Sequence, residues 1–346
     1  MPLFSKLTIY YFSGTGNAFN VSVWISQIAK IYYIPYRIVN ITKVNVKELA
    51  EHQEDELIAF VSPVHGFNYP PVMLSFLAGF PRGKAKVILL NTRAGMLIKK
   101  WITPGLSGIT FYFASLILLI KGYRIYGMLP VDMPSNWMSI HPGLNDRTIK
   151  YLHVKNKERI TSFTKKIFSG KKVFSALKEA VQDLAIAPVS LMYYIIGRFV
   201  FAKTYYASHA CDNCNVCVKN CPVKAIKIVN NRPYWTFECE SCMKCMSSCP
   251  KKAIQTGHGF ISLVILLQYS GLLVIFYKYF NRYIYYIQSE TIKFFLESAI
   301  FVTLLSVCYR LVHYLMRFGF FEKIMLYTSF TRYKFWGKRY RALRPD

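Results

Sequence analysis

Eight of the nine cysteines fall into two runs of identical spacing, Cys211-x2-Cys214-x2-Cys217-x3-Cys221-Pro222 and Cys239-x2-Cys242-x2-Cys245-x3-Cys249-Pro250, displaced by 28 residues. Three thiolates this close in sequence can take three corners of one iron–sulfur cube, whereas the fourth lies too far along and is placed to ligate a second cube. The runs continue alike past the ligands, CPVKAI at 221–226 against CPKKAI at 249–254, which marks a duplicated module. Zinc ribbons use two CxxC pairs and have no place for a third regularly spaced thiol or the trailing proline. A disulfide framework suits small secreted chains, whereas this one has 346 residues and reads as lacking a cleavable leader, so reduced cysteines in a cytosolic setting are expected.

The spacing resembles that of a two-cluster bacterial ferredoxin. The resemblance implies that Cys211, Cys214, Cys217 and Cys249 hold one [4Fe-4S] cluster, and that Cys239, Cys242, Cys245 and Cys221 hold the other. Cys308 stands apart in an apolar stretch and reads as a small packing residue.

A second candidate site lies near the start of the chain. A short buried strand at 6–12 runs into Ser13, Gly14, Thr15, Gly16 and Asn17, and a helical stretch follows at 18–32. Strand, glycine-rich turn and helix N-terminus form an anion-binding arrangement, because unpaired N–H groups and the positive dipole end face one point. No GK[ST] follows, which argues against a nucleoside-triphosphate loop, and Phe19 stands where a dinucleotide fingerprint needs its third glycine. The loop instead resembles the phosphate loop of flavodoxins, which implies FMN. Flavodoxins usually carry a threonine at the position of Ala18, so one hydroxyl is missing and Asn17 is the candidate substitute donor.

Further strands are expected at 36–41, 57–61, 86–91 and 123–130, alternating with helical segments, which fits a doubly wound parallel sheet of five strands. Ligands bind such sheets at the carboxyl ends of the strands. Two expected loops stand there: Ser62 to Pro70, with Val64, His65, Gly66 and Phe67, and a second at 91–95 with Asn91, Thr92 and Gly95. In flavodoxins these positions flank the isoalloxazine ring, which implies a cofactor-binding role for both. His65, Tyr69, Arg93, Asn136 and Trp137 are candidate lining residues by loop position, and no catalytic residue is identified.

Residues 1–256, including Met133 to Trp137 and His141-Pro142, resemble the flavodoxin/ferredoxin fusion family, an N-terminal flavodoxin-like domain joined to a C-terminal pair of four-iron clusters. The expected organisation is an α/β flavodoxin-like FMN domain at 1–147, a helical linker at 148–207 and an α+β 2[4Fe-4S] ferredoxin domain at 208–257. A two-span membrane hairpin at 258–317 and a basic tail at 318–346 follow. The linker reads as two helices, 148–168 and a strongly apolar one at 188–207 that either packs on the domain or touches a membrane surface. The apolar stretch 106–120 is short for a crossing and fits the sheet's fourth helix.

Residues 259–277 carry no formal charge over 19 positions, enough to cross a hydrocarbon core of roughly 30 Å as a helix. A second apolar run covers 294–309 and extends towards 316. Arg317, Lys323, Arg332, Lys334, Lys338, Arg339, Arg341 and Arg344 follow it, against Lys278, Arg282 and Lys293 between the runs. Basic residues favour the cytoplasmic side, so cofactor domains and tail are expected to face the cytoplasm from the cytoplasmic membrane. An interfacial anchor that does not cross would also satisfy these charges.

The formal net charge is +27, spread along the chain, with 15 basic against 7 acidic residues at 1–150 and 17 against 6 at 151–258. No nucleic-acid motif accompanies this charge, so nucleic acid is not the expected partner. Anionic lipid headgroups and an acidic redox partner, such as a ferredoxin or a membrane redox complex, are. Lys219, Lys224, Lys227, Lys244, Lys251 and Lys252 around the cysteines would raise cluster potentials by stabilising the reduced, more negative state. A flavin exchanges two electrons and each cube one, so the expected function is membrane-attached electron transfer between clusters and FMN with a lipophilic acceptor. A non-catalytic carrier subunit and a membrane-tethered ferredoxin with an empty flavodoxin-like domain are the alternatives.

Overall fold

The computed structural model describes residues 3–98, 101–272, 274–275, 278–279 and 289–345. They divide into two compact units. One contains the described residues of Met1–Trp137, Gly143–Met192 and Lys338–Asp346; the other contains Met138–Pro142 and the described residues of Tyr193–Gly337.

The first unit is built on a parallel sheet. Its elements are β1 (Leu7–Tyr11), α1 (Asn17–Ile31), β2 (Tyr36–Asn40), β3 (Leu57–Pro63), α2 (Pro71–Gly79), β4 (Lys86–Ile98), β5 (Trp101–Thr103), α3 (Thr110–Ile120), β6 (Arg124–Pro134), α4 (Asp146–Phe168), β7 (Val173–Phe174) and α5 (Ala180–Met192). Parallel neighbours run β2-β1-β3-β4-β6-β7, with β5 folded back antiparallel on β4. Without the added β5 and β7, this is the flavodoxin-like order 2-1-3-4-5, whose chain reverses direction beside β1.

Alternation along the strands decides the layers. Leu7 and Ile9 of β1, Ile88 and Leu90 of β4 and Leu129 and Val131 of β6 pack with Val21, Trp24 and Ile25 of α1 and Ile160, Phe163 and Ile167 of α4. Gly127 on β6 makes this approach feasible, since a Cβ there would sit 2.8 Å from the Phe163 ring. The opposite face is aromatic around Tyr10, where Phe60, Phe76 and Phe80 lie at ring separations of 5.7, 5.4 and 5.1 Å. Each large apolar side chain so buried stabilises the fold by ~1.5–3 kcal/mol.

Three elements depart from the expectations. The fourth strand continues through Asn91, Thr92 and Gly95 to Ile98, so the loop expected at 91–95 is strand. Its partner β6 also runs on to Pro134, and Gly95 pairs with that residue; a Cβ on Gly95 would meet the Asp132 carbonyl oxygen at 2.4 Å. Between β2 and β3 two single 3-10 turns, Ile41–Lys43 and Val46–Glu48, stand where a helix was expected. The segment expected as a linker contributes α4 and α5 to this unit, and α4 starts where the Asn145 side chain accepts from Thr148 N at 2.8 Å.

The second unit carries the cysteines. Its elements are α6 (Arg198–Ala202), β8 (Tyr205–Ala207), α7 (Val216–Lys219), β9 (Ile226–Val229), β10 (Arg232–Trp235), α8 (Lys244–Ser248) and β11 (Ile254–Thr256), with β9–β10 and β8–β11 as antiparallel pairs. Among the described residues, three further helices follow, His258–Leu267, Glu290–Leu315 and Gly319–Tyr327. Leu305 and Tyr309 of the long helix pack with Tyr206, Phe260, Val264, Met316 and Met325, and the Tyr309 hydroxyl donates to Tyr205 O at 2.8 Å. This helix covers the expected second span and is in part a packing element of the cysteine module. The expected first span begins as His258–Leu267, and its end near 277 lies outside the described residues.

Among the described residues, two helical runs are long and apolar enough to cross a membrane, Ser175–Ala202 and Glu290–Leu315. The first was expected as a packing or surface helix over 188–207.

His153 on α4 is buried against Trp24, ring centroids 5.8 Å apart, and its Nε2 lies 3.0 Å from the Tyr340 hydroxyl. Burial pulls its pKa down to about 4, so the folded chain holds the imidazole neutral. The stability this contributes is complete above the unfolded value near 6.5 and is lost as pH falls from there towards 4, at up to ~1.4 kcal/mol per pH unit. Thermal unfolding in detergent at pH 7, 6 and 5 should therefore show a falling midpoint, and the fall should be smaller in His153→Asn.

Candidate functional site

Gly16 makes the first loop. It adopts φ 111°, a left-handed conformation that costs glycine little, and it precedes α1 as a cap with no side-chain hydrogen bond. Ser13 Oγ accepts from Gly16 N at 3.1 Å. Asn17 donates to Pro134 O at 2.9 Å, and Asn136 donates to Thr15 Oγ1 at 2.6 Å. The first-turn amides of α1 have no intrahelical acceptors, so the helix presents N–H groups and its positive dipole end at this loop.

The second loop is a tight turn at the end of β3. His65 and Asn68 exchange backbone bonds of 2.8 and 3.3 Å across Gly66 at φ 54° and Phe67 at φ 64°. Positive φ at both central residues is type I′ geometry, and for a bulky residue such as Phe67 it is strained. Ile109 N donates to Phe67 O at 3.0 Å and Ser190 Oγ donates to it at 3.1 Å, which holds the strained residue in place. His65 stacks on Trp137 with ring centroids 6.4 Å apart and meets Phe12 edge-on at the same separation. Ser13 to Asn17, Val64 to Asn68 and Pro134 to Trp137 therefore come together at the carboxyl ends of β1, β3 and β6, as their sequence positions imply.

Two candidate lining residues, Tyr69 and Arg93, are placed elsewhere. Tyr69 is wholly buried and donates to Leu90 O at 2.9 Å, so it belongs to the core. Arg93 is also buried: its Nε donates to Asp132 Oδ1 at 2.7 Å, and its guanidinium is paired with Glu179. Arg159 Nη1 holds the other Asp132 oxygen at 2.9 Å, and Gly105 N donates to Asp132 at 3.0 Å. Arg93 thus ties the turn that leads into α5 to β4 and β6 instead of facing a ligand. Asn91 is fully buried, and neither end of its amide has a partner among the described residues. Such a group, on the strand beside the phosphate loop's own neighbour β3, is one that a bound polar molecule or water would satisfy.

The second unit builds two thiol groups from the duplicated runs. Cys211, Cys214, Cys217 and Cys249 line one pocket with Pro233, Pro250 and Ile254. Cys242 and Cys245 lie close enough to Cys221 for its charge to raise their pKa values, and Cys239 feels Cys245, Cys242 and Cys221 in the same way. Each group therefore takes three thiols from one run and the fourth from the other.

The duplication is visible in the backbone. Asn213, Asn215 and Lys224 have φ of 57, 58 and 54°, and Ser241, Met243 and Lys252, 28 positions on, have 51, 61 and 50°. Ala225 N donates to Cys221 Sγ at 3.2 Å, and Ala253 N donates to Cys249 Sγ at 3.3 Å. Six non-glycine residues in a left-handed conformation are costly, and they turn the chain so that successive thiols point inward.

Burial lifts the Cys217 thiol to about 11, with Cys211 adding to the shift, and lifts Cys242 to about 12. Sulfurs so placed ionise together only around a positive core, which an iron–sulfur cluster provides. Among the described residues, no three His, Cys, Asp or Glu side chains converge on one ion as a zinc site requires. Buried Lys203 lies near this second group, donating to Trp235 O at 2.8 Å above the ring of Phe237. Burial lowers its pKa to about 8, while Cys239 acts in the opposite direction.

Sequence reasoning missed the C-terminal residues of the first unit. Ala342 N donates to Thr15 O at 2.9 Å, Asn20 Nδ2 donates to Leu343 O at 2.6 Å, and the buried Tyr340 hydroxyl donates to Asn17 Oδ1. No periodicity or spacing signals this contact.

The family of 4Fe-4S dicluster domains matches residues 210–254. Among solved structures, the chain is similar to a flavodoxin from the domain Archaea, at 17% identity over 46% of this chain and 99% of that one, with a TM-score of 0.27. It is similar also to the Megasphaera elsdenii flavodoxin, at 18% identity over 44% and 98% with a TM-score of 0.29, and to Bacillus cereus flavodoxin 1, at 13% over 46% and 98% with a TM-score of 0.31. No curated protein sequence matches the chain. The flavodoxin-like assignment rests on strand order and register. The chain joins a flavodoxin-like sheet to a 4Fe-4S ferredoxin domain, and this pairing supports an electron-transfer role.

Cys249→Ser removes a thiol from the Cys211 group while leaving Cys221 with the Cys239 group. Iron analysis of the anaerobically purified variant should show about half of the iron lost, with one cluster signal retained by electron paramagnetic resonance. Cys221→Ser should remove the other signal.

Proposed function

We propose that this chain is a membrane-attached oxidoreductase that passes electrons between two [4Fe-4S] clusters and FMN. The observation that carries the reading is the crossed composition of the two thiol groups, Cys211, Cys214, Cys217 with Cys249 and Cys239, Cys242, Cys245 with Cys221. That arrangement suits two cubes ligated from a duplicated module.

FMN fits the other unit. Its phosphate would lie at Ser13 to Asn17 against the N-terminus of α1, and its ring near the His65 to Asn68 turn and Trp137. FMN supplies a redox centre that takes or gives two electrons, whereas each cluster handles one. The chain's own contribution is to hold loops and rings: Asn17 and Asn136 tie the phosphate loop to the end of β6, and the His65–Trp137 stack offers an aromatic wall. Thr92 supports this site from within β4, its carbonyl accepting from Val64 N at 3.0 Å.

Membrane attachment is supported by two long apolar helical runs among the described residues, of which Ser175–Ala202, at the junction of the two units, is read as a surface helix. The apolar side chains of α3 and α5 point the same way, with Val181 86%, Leu184 75% and Ile120 64% exposed. Such surfaces suit lipid contact better than water. The basic tail supports a cytoplasmic orientation for the cofactor units, and the positive charge around the clusters supports an acidic electron-transfer partner. A lipophilic acceptor is the substrate class that a membrane-attached flavin site favours.

The deciding experiment is anaerobic purification in detergent from carbonate-washed membranes, with iron, acid-labile sulfide and extracted flavin measured on one sample. About eight irons and one FMN per chain are expected. Eight irons without flavin, even after FMN is added back, would reduce the protein to a tethered ferredoxin. Release of the chain by carbonate would remove the spanning helices from the reading.

A further inference from the structure

The phosphate loop is contacted by the other end of the chain. Lys338 pairs with Asp146 at 2.9 Å, and its carbonyl packs on Gly143, so the segment enters beside the start of α4. Tyr340 is then buried, its hydroxyl shared between Asn17 Oδ1 and His153 Nε2. Ala342 N donates to Thr15 O at 2.9 Å, and its Cβ lies 2.8 Å from where a side chain on Gly16 would begin. Asn20 Nδ2 closes the contact on Leu343 O at 2.6 Å.

The direction of these bonds matters. Ala342 donates to a loop carbonyl, and Tyr340 donates to a side-chain oxygen, so neither consumes a loop N–H. A peptide that filled the anion cradle would offer its carbonyls to those amides. Two of the tail's three bonds to the loop and α1 engage acceptors of the loop, and the third takes the Asn20 side-chain amide, so none of the three uses a backbone N–H of the loop or of the first turn of α1. It also brings charge. Residues 12–20 contain no Lys or Arg, whereas Arg341 stands between two anchored residues of the tail and is exposed, with Arg339 and Arg344 beside it.

We propose that residues 338–344 form a strap that completes the phosphate-binding site, with Tyr340 and Ala342 as positioning residues for the loop and Arg341 as the source of the positive charge the loop lacks. The proposal rests on the FMN reading above. A flavin monophosphate is the ligand class it favours, because a charge-assisted bond to phosphate is gained only by a ligand that carries one.

The test compares FMN with riboflavin, which lacks the phosphate. Binding is read by quenching of flavin fluorescence on the full chain in detergent, on Arg341→Gln, on Tyr340→Phe and on a chain ending at Gly337. FMN affinity should fall about tenfold or more on truncation and several-fold in each substitution, with riboflavin affinity changed less than threefold. Hydrogen exchange should show the amides of 13–19 losing protection on truncation. Variants that bind FMN as tightly as the full chain overturn the strap, and tighter binding on truncation overturns it in favour of an inhibitory plug. A full chain that binds neither flavin overturns the FMN reading together with the strap, and is told apart by its failure before any variant is compared.

Discussion

Four sulfurs held close together and partly buried resist ionising side by side without a positive core between them, and the second unit is organised around that constraint. Desolvation raises Cys217, Cys239, Cys242 and Cys245, and the neighbouring thiols raise them further. The protein accepts six strained left-handed residues to aim the sulfurs inward, and supplies Ala225 and Ala253 N–H groups to the two sulfurs that change partners. The hairpins β9–β10 and β8–β11 are too small to pay for such strain by packing alone. Ligation of a metal cluster would supply part of this unit's folding free energy, as it does in small metal-bound modules. Trp235 and Tyr205, both wholly buried, make up the rest of its core with Tyr309 from the long apolar helix.

The first unit solves a different problem, that of presenting loops at the ends of buried parallel strands. Its β4 and β6 stay paired as far as Gly95 and Pro134, and this length places Asp132 within reach of both Arg93 and Arg159. Removing one member of such a buried pair leaves an uncompensated charge and costs ~3–5 kcal/mol. The network anchors α5, and α5 in turn pins Phe67 O through Ser190 and Gly108 N through Asp183. A polar face holds this helix on the sheet while its apolar face stays exposed. That amphipathic division suits a helix lying along a lipid surface at its start, within a run long enough to cross.

An electron-transfer role follows from placing an anion-binding, aromatic-walled site and a pair of cysteine quartets in one chain. Among the described residues, two helical runs long and apolar enough to cross a membrane accompany these two sites.

The grouping of the cysteines was legible in the sequence, because reach along a chain is bounded by covalent geometry and three thiols within seven residues have few places to go. The strand order was legible too, since periods of burial and short connections leave few topologies. The contents of the loops were less so. Asn91, Thr92, Arg93 and Gly95 read as a loop because they are polar and contain glycine; they became strand because β6 runs long enough to pair with them and Asp132 neutralises the arginine. The tail was not legible at all. Tyr340 meets Asn17 across 323 residues through single hydrogen bonds with no repeating pattern. Local chemistry is written in spacing, whereas a contact between distant segments is decided only when packing brings both to one place.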